Sequence, residues 1–251
     1  MTRSQISNWI LYTGCGRWQV RCAVVLVLTV VTSARIATSA DPDFQFWFPM
    51  QFNHHVSDNW VISMQAEQRF RDNASEYSQV IYKPSLNYHH GDWVFSGGYK
   101  HIDRNGDSDE HDVWQEIGSN RKFDDLVAGW QVRLEERFYN GVSGMIPRLR
   151  FLTHASHPIG DSPYYVTGFG AVRFNLDDKG AGPVSGFEQV RAFTGIGRHI
   201  GDHVLLESGY LYRFERERTG SNASDHTLNM HLIINTKAKP TRKPHPRDRY
   251  R

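Results

Sequence analysis

Cysteine, long apolar runs and helical periodicity are scarce in this chain of 251 residues, and each scarcity excludes a class of protein. The two cysteines, Cys15 and Cys22, lie close together near the start, which excludes a disulfide scaffold. The mean hydropathy is negative, whereas a polytopic helical membrane protein would need several apolar runs of about 20 residues. No segment after residue 40 shows a convincing 3.6-residue period, so we expect no helical domain.

Charge is segregated along the chain, although the formal net charge is only +2. Residues 1–40 contain four arginines and no acidic residue, and residues 237–251 contain seven Lys or Arg and one Asp. The segment 41–236 between them holds 18 basic and 26 acidic residues. Because an acidic body repels phosphate, nucleic acid is excluded as a partner. The proline-broken basic segment 237–251 is predicted to be a disordered tail.

The first 40 residues have the anatomy of an export signal. Two arginines precede a short apolar core at residues 23–31, and small residues lead up to a cleavage site after Ala40. Even a run of about 12 residues would span less than about 20 Å as a helix, too short for a bilayer anchor. We predict a signal peptide over 1–40 and a β-barrel domain over 41–236, whose lack of cysteine suits an oxidising periplasm.

From residue 43 onward the dominant apolar period is two, which is typical of β-strands. In residues 126–138, for example, apolar side chains alternate with Gln131, Arg133 and Glu135. Eleven such runs are found, at about 44–53, 60–71, 77–88, 93–102, 112–122, 126–138, 147–157, 163–176, 186–198, 203–216 and 226–235. Because single-chain bacterial barrels have even strand numbers, we expect 10 or 12 strands.

Tight and longer connections alternate between these strands. Each tight turn carries an aspartate, namely Asp58, Asp92, Asp125, Asp161 and Asp202. Longer polar links separate the turns, and only the link at 72–76 is short. This alternation is typical of outer-membrane barrels, whose tight turns lie on the periplasmic side. We therefore predict an all-β, antiparallel, up-and-down transmembrane β-barrel.

A two-residue period also fits a secreted soluble β-barrel or sandwich that binds a ligand, so this alternative stays open. Strand length favours the membrane, because about 9–11 tilted residues cross a bilayer and globular strands have mostly about 5–6. Aromatic residues beside the tight turns would form an interfacial girdle: Trp60, Tyr88, Trp93, Tyr164 and Tyr165. Outer-membrane lipids, the secretion machinery and the barrel-assembly machinery are then the expected partners.

Several short motifs recur along the strands. They are Glu67-Gln68-Arg69-Phe70, Glu135-Glu136-Arg137-Phe138, Gly97-Gly98-Tyr99, Glu110-His111-Asp112-Val113-Trp114-Gln115, Pro147-Arg148-Leu149-Arg150-Phe151 and Glu207-Ser208-Gly209-Tyr210. On these motifs the chain resembles the domain of unknown function family 2490 over about residues 43–235. The resemblance implies an exported outer-membrane β-barrel of Gram-negative bacteria and lends no catalytic residue.

The polar strand faces carry the candidate functional residues. These are Glu67, Arg69, Arg133, Glu135, Arg137, Arg148, Arg150, Arg213 and Glu215. On neighbouring strands they would form rungs across a lumen, either as a charged constriction for small solutes or as a salt-bridged plug. Side chains fill barrels of about eight strands and leave a channel in those of 16, so the expected width favours the plug.

Neither a metal site nor a catalytic site is expected. Histidines cluster beside the tight turns (His54, His55, His89, His90, His157, His199 and His203), but no HExxH motif or cysteine ligand accompanies them. Ser96 with His101, or Ser208 with Glu207, supplies residue types for an outer-membrane lipid hydrolase, but no GxSxG elbow is present. We predict a protein without cofactor or enzyme activity, which is structural or a narrow conduit for small solutes.

Overall fold

The computed structural model describes residues 42–106, 108–180, 182–216, 218 and 222–236. The predicted signal peptide, its cleavage after Ala40 and the predicted tail 237–251 lie outside the described residues. Among the described residues, no helix is long and apolar enough to cross a membrane. The strands are β1 (Asp43–His55), β2 (Trp60–Arg71), β3 (Glu76–His90), β4 (Trp93–Arg104), β5 (Glu110–Phe123), β6 (Leu126–Tyr139), β7 (Ile146–Pro158), β8 (Tyr164–Asn175), β9 (Gly186–Ile200), β10 (Val204–Glu215) and β11 (Ala223–Asn235).

The strands form one closed barrel in chain order. Each strand pairs antiparallel with the next, and β1 and β11 close the barrel as a parallel pair, with Asp43 opposite Asp225 and Asn53 opposite Asn235. The all-β up-and-down barrel is confirmed, but the expected 10 or 12 strands is wrong for the described chain, which has eleven. An odd number makes the first and last strands run in the same direction, and a parallel ladder can still satisfy their backbone groups.

The connections fall into two sets at opposite ends of the barrel. One end, called the turn end here, carries the connections 56–59, 91–92, 124–125, 159–163 and 201–203. The other, the loop end, carries 72–75, 105–109, 140–145, 176–185 and 216–222. Asp124 and Gly91 adopt left-handed conformations in the tightest turns, with φ of 52° and 59°. This backbone geometry suits the two-residue turns that join twisted antiparallel strands.

The barrel is apolar outside and polar inside. Phe52, Ile62, Phe95, Val166 and Ile196 are among the large apolar side chains exposed on the outer wall. Among the described residues, 25 buried residues are polar or charged and 13 are apolar. Since buried side chains are normally apolar and charged ones are seldom buried, the barrel is inverted relative to a water-soluble domain.

Aromatic side chains surround the outer wall near the turn end. Trp60 packs on Tyr88 with ring centroids 4.8 Å apart, and Trp93 meets Trp130 edge-on at 5.8 Å. Tyr164 is also exposed, but the girdle position expected for Tyr165 is wrong. Because successive strand residues point to opposite faces, Tyr165 points inward, where its hydroxyl donates to Glu207 at 2.7 Å.

Candidate functional site

A cavity of about 440 Å³ runs inside the barrel. Its wall extends from Asn53 and His89 near the turn end to Arg104 and Glu110 near the loop end. The structure places all nine predicted lumen residues on this wall: Glu67, Arg69, Arg133, Glu135, Arg137, Arg148, Arg150, Arg213 and Glu215. Eleven Lys or Arg and five Glu are among the lining residues, so the wall carries an excess of positive charge.

Uncharged polar groups line the turn end of the cavity. The Asn53 carboxamide is the centre of a hydrogen-bond network: it donates to Asn235 at 3.0 Å and accepts from Gln51 at 2.9 Å and from Ser63 at 2.7 Å. Asn87 extends this network by donating to Ser63 at 3.0 Å. These amide and hydroxyl groups are uncharged and satisfy one another's hydrogen bonds, so the network makes this part of the wall polar without adding charge.

Near the loop end, four basic and four acidic side chains form a neutral cluster, called the loop-end network here. Its members are Lys100, Arg104, Arg137 and Arg148, with Glu110, Asp112, Glu135 and Glu188. Two of its arginines, Arg137 and Arg148, each bridge two carboxylates. Arg137 donates to Glu110 at 2.9 Å and to Glu188 at 2.7 Å, and Arg148 donates to Glu135 at 2.5 Å and to Glu188 at 3.1 Å.

The loop-end network includes more residues than were predicted from the sequence. Lys100, Glu110 and Asp112 lie on inward positions of β4 and β5, which the two-residue period of those strands could have indicated. Glu188 had no such signal. It follows Phe187, at the point where an irregularity shifts the register between β8 and β9, so its inward orientation does not follow the alternation of the strand.

A second balanced group surrounds Trp47, and we call it the Trp47 cluster. The guanidinium carbons of Arg69, Arg191 and Arg213 lie 3.7, 4.9 and 5.6 Å from the indole centroid, within cation–π range. Three carboxylates offset the three arginines: Glu67 accepts from Arg69 at 2.6 Å, and Glu215 and Asp225 pair with Arg213. Trp47 is buried against Phe193 and Leu211, which fixes the indole.

Between these groups, three arginines face one another on adjacent strands. Arg133 on β6 pairs in register with Arg150 on β7, and Arg150 pairs with Arg173 on β8. Glu116 on β5, opposite Arg133, accepts from Arg133 at 2.9 Å and from Arg150 at 2.6 Å. We call Arg133, Arg150 and Arg173 the arginine row. Arg173 was not singled out from the sequence, although it occupies an inward position of its strand.

The other residues considered from the sequence do not converge. Ser96 lines the cavity, whereas His101 stacks on His111 at 4.5 Å on the opposite face of β4. Glu207 points inward to Tyr165, and its neighbour Ser208 therefore points outward. Neither pair makes the contact that a hydrolase would need. Within the part of the chain that the structure describes, no three His, Cys, Asp or Glu side chains come together as metal ligands.

Fold and site together define a closed β-barrel with an apolar outer wall and a charged interior. The chain belongs to the family described as protein of unknown function (DUF2490), whose model matches residues 44–224, which confirms the resemblance found in the motifs. An uncharacterized protein of Methylorubrum extorquens is 25% identical over 225 residues, covering 85% of this chain and 97% of that protein.

Two solved structures are similar in outline. The NanC porin has a TM-score of 0.49 and 11% identity, and the match covers 73% of this chain and 94% of that one. An anion-selective porin from Comamonas acidovorans has a TM-score of 0.35 and 11% identity, with 69% of this chain and 55% of that one covered.

Proposed function

We propose that this barrel spans the bacterial outer membrane and forms a narrow, water-containing conduit for small solutes. The observation that carries the proposal is the inverted polarity of the wall: apolar side chains are exposed outside, and most buried residues are polar. A spanning strand needs an apolar face toward lipid, and a closed barrel leaves no unpaired edge in the hydrocarbon. Strands of 12 to 15 residues are long enough to cross it.

The same observation argues against a secreted soluble ligand-binding barrel. Such a barrel would turn its aromatic faces inward and leave its Arg and Glu faces in water. Here Phe52, Phe95 and Trp93 are exposed, while Arg148 and Glu135 are 4% and 3% exposed. If the barrel were soluble, water would contact the continuous apolar belt on its outer wall, whereas in a membrane lipid covers this belt. The proposal accordingly requires three kinds of partner: outer-membrane lipids, the secretion machinery and the barrel-assembly machinery.

A conduit and a structural plug differ in what fills the interior. The loop-end network is neutral and closely paired, which is what a plug that supports the barrel would show. The cavity of about 440 Å³ nevertheless extends along the wall from His89 near the turn end to Arg104 and Glu110, which are members of the network. We therefore assign the network to the wall of the conduit and keep a purely structural barrel as the second candidate.

Cell fractionation followed by a heat-modifiability gel tests the membrane location. We expect the protein in the outer-membrane fraction, migrating faster before boiling than after it. Release into the soluble periplasm would contradict the proposal and favour the soluble alternative.

Planar-bilayer recordings of the purified barrel then separate conduit from plug. We expect small, stable conductance steps in KCl. An outer-membrane barrel that carries no current would support the structural candidate instead.

A further inference from the structure

The arginine row is the part of the described interior where positive charge exceeds negative charge. The loop-end network contains four basic and four acidic residues, and the Trp47 cluster contains three of each. Lys83 lines the same cavity and interacts with Arg133 and Arg150 and with the carboxylates Glu67 and Glu116. Since Glu67 already belongs to the Trp47 cluster, the row and Lys83 bring together four basic side chains and Glu116. Among the described residues, Glu116 forms ion pairs with Arg133 and Arg150 at under 3 Å, and Glu135 lies 3.8 Å from Arg133.

Register makes this arrangement costly. Adjacent strands lie about 4.7–4.9 Å apart, and like charges directly opposite each other destabilise a sheet. Glu116 offsets Arg133 and Arg150, but no described carboxylate forms an ion pair with Arg173 or Lys83. Glu135 and Glu188 influence Arg173 only at longer range, and both are already held by Arg148.

Donor groups of the row are also left without acceptors. The Nε atoms of Arg150 and Arg173 are buried and have no hydrogen-bond partner among the described protein atoms. A buried donor without an acceptor is unfavourable, and a donor attached to a charged group more so. A bound anion with several oxygens would satisfy both the excess charge and the unused donors.

An aromatic side chain holds Arg133, at one end of the row, in place. The guanidinium of Arg133 stacks on the indole of Trp114 with its carbon 3.7 Å from the ring centroid. Trp114 in turn lies over Gly98, where an added Cβ would come within 2.6 Å of the indole. This support reduces the side-chain entropy lost when an anion binds.

We propose that the arginine row, together with Lys83, binds a small oxyanion inside the barrel. The proposal rests on the proposed conduit and names the class of solute that it takes. Guanidinium forks bind carboxylate, sulfate and phosphate groups bidentately, and this is the shared chemistry of the ligand. A cavity of about 440 Å³ limits the ligand to the size of a small metabolite.

Calorimetric titration of the detergent-folded full-length barrel with inorganic phosphate, and separately with acetate, tests the site without requiring conduction. Arg173→Gln and Lys83→Gln remove cations that have no ion-pair partner, so neither strands a described carboxylate. We expect each variant to weaken oxyanion binding at least about tenfold. Arg121→Gln, whose side chain is 65% exposed, is the matched control and should bind as the wild type does.

The outcomes separate this inference from the conduit itself. Tighter binding of phosphate or of acetate identifies which oxyanion the row selects, and both results support it. Undetectable binding of both anions, or equal binding by wild type and Arg173→Gln, would overturn the inference even if the barrel conducts. Binding that is lost in the two variants, in a protein recovered from the soluble periplasm, would support the site and contradict the membrane conduit. Heat-modifiability of each variant shows that it has folded.

Discussion

Arg148 tests whether the loop-end network is dry or bathed in water. Its side chain is 4% exposed, and it donates to Glu135 at 2.5 Å and to both carboxylate oxygens of Glu188 at 3.1 Å. Arg148→Met keeps an unbranched apolar stem and removes the charge. Glu135 is then left with Arg133 at 3.8 Å, and Glu188 is left with Arg137 at 2.7 Å.

The size of the effect follows from burial. Removing one partner of a buried ion pair costs about 3–5 kcal/mol, because it leaves an uncompensated charge. Both glutamates keep a second arginine, so we expect the lower end, about 3 kcal/mol. At about 2–4 °C per kcal/mol for a domain of this size, the midpoint of thermal unfolding should fall by about 6–12 °C.

Urea unfolding in lipid vesicles, followed by tryptophan fluorescence, measures the loss. Arg121→Met is the control, because its exposed side chain should change the free energy of unfolding by no more than about 0.5 kcal/mol. A loss below about 1 kcal/mol for Arg148→Met would refute the reasoning. It would mean that lumen water screens the network as bulk water screens a surface ion pair.

Three further predictions concern the connections and the wall. Ala74 has φ of 61°, so Ala74→Gly should raise the free energy of unfolding by about 0.5–1 kcal/mol in the same assay. Gly98→Val should displace Trp114, cost about 1–3 kcal/mol and reduce near-UV circular dichroism; an unchanged spectrum would contradict the close approach. Arg218 donates a hydrogen bond to Asp178, which links the connections 176–185 and 216–222 and lowers the pKa of Asp178. This contact should therefore be fully formed above the usual pKa range of aspartate and be lost as the pH falls through the lowered pKa. Asp178→Asn should therefore increase hydrogen exchange of these connections at pH 7, and equal exchange would count against the contact.

The strands were accessible from the sequence because their signal is local. The two-residue period located every strand of the barrel to within a few residues, and it placed Arg133, Glu135 and Arg137 on one face. The expected strand number came instead from the rule that single-chain bacterial barrels have an even number of strands. How the barrel closes depends on the pairing of β1 with β11, which are far apart in the sequence. No local pattern reports whether that pair is parallel.

The candidate site was accessible only in part, for the same reason. Periodicity indicates that Arg150 faces inward, but not that it lies opposite another arginine on each side. That fact depends on register, which turn lengths and irregularities set along the whole barrel. The shared role of Glu116 and the lack of an ion pair at Arg173 therefore emerge only from the folded chain.

The parallel pairing of β1 with β11 has a consequence for sidedness. β1 begins at the loop end with Asp43, and β11 finishes at the turn end with Asn235. In a bilayer-spanning barrel these two positions lie on opposite sides of the membrane, whereas an even number of strands would return them to one side. Impermeant labels at positions 43 and 236 should thus react from opposite faces of an intact outer membrane. A linker from the end of β11 to the start of β1 would have to span the full height of the barrel wall. Circular permutation with a short linker is therefore not possible for this barrel.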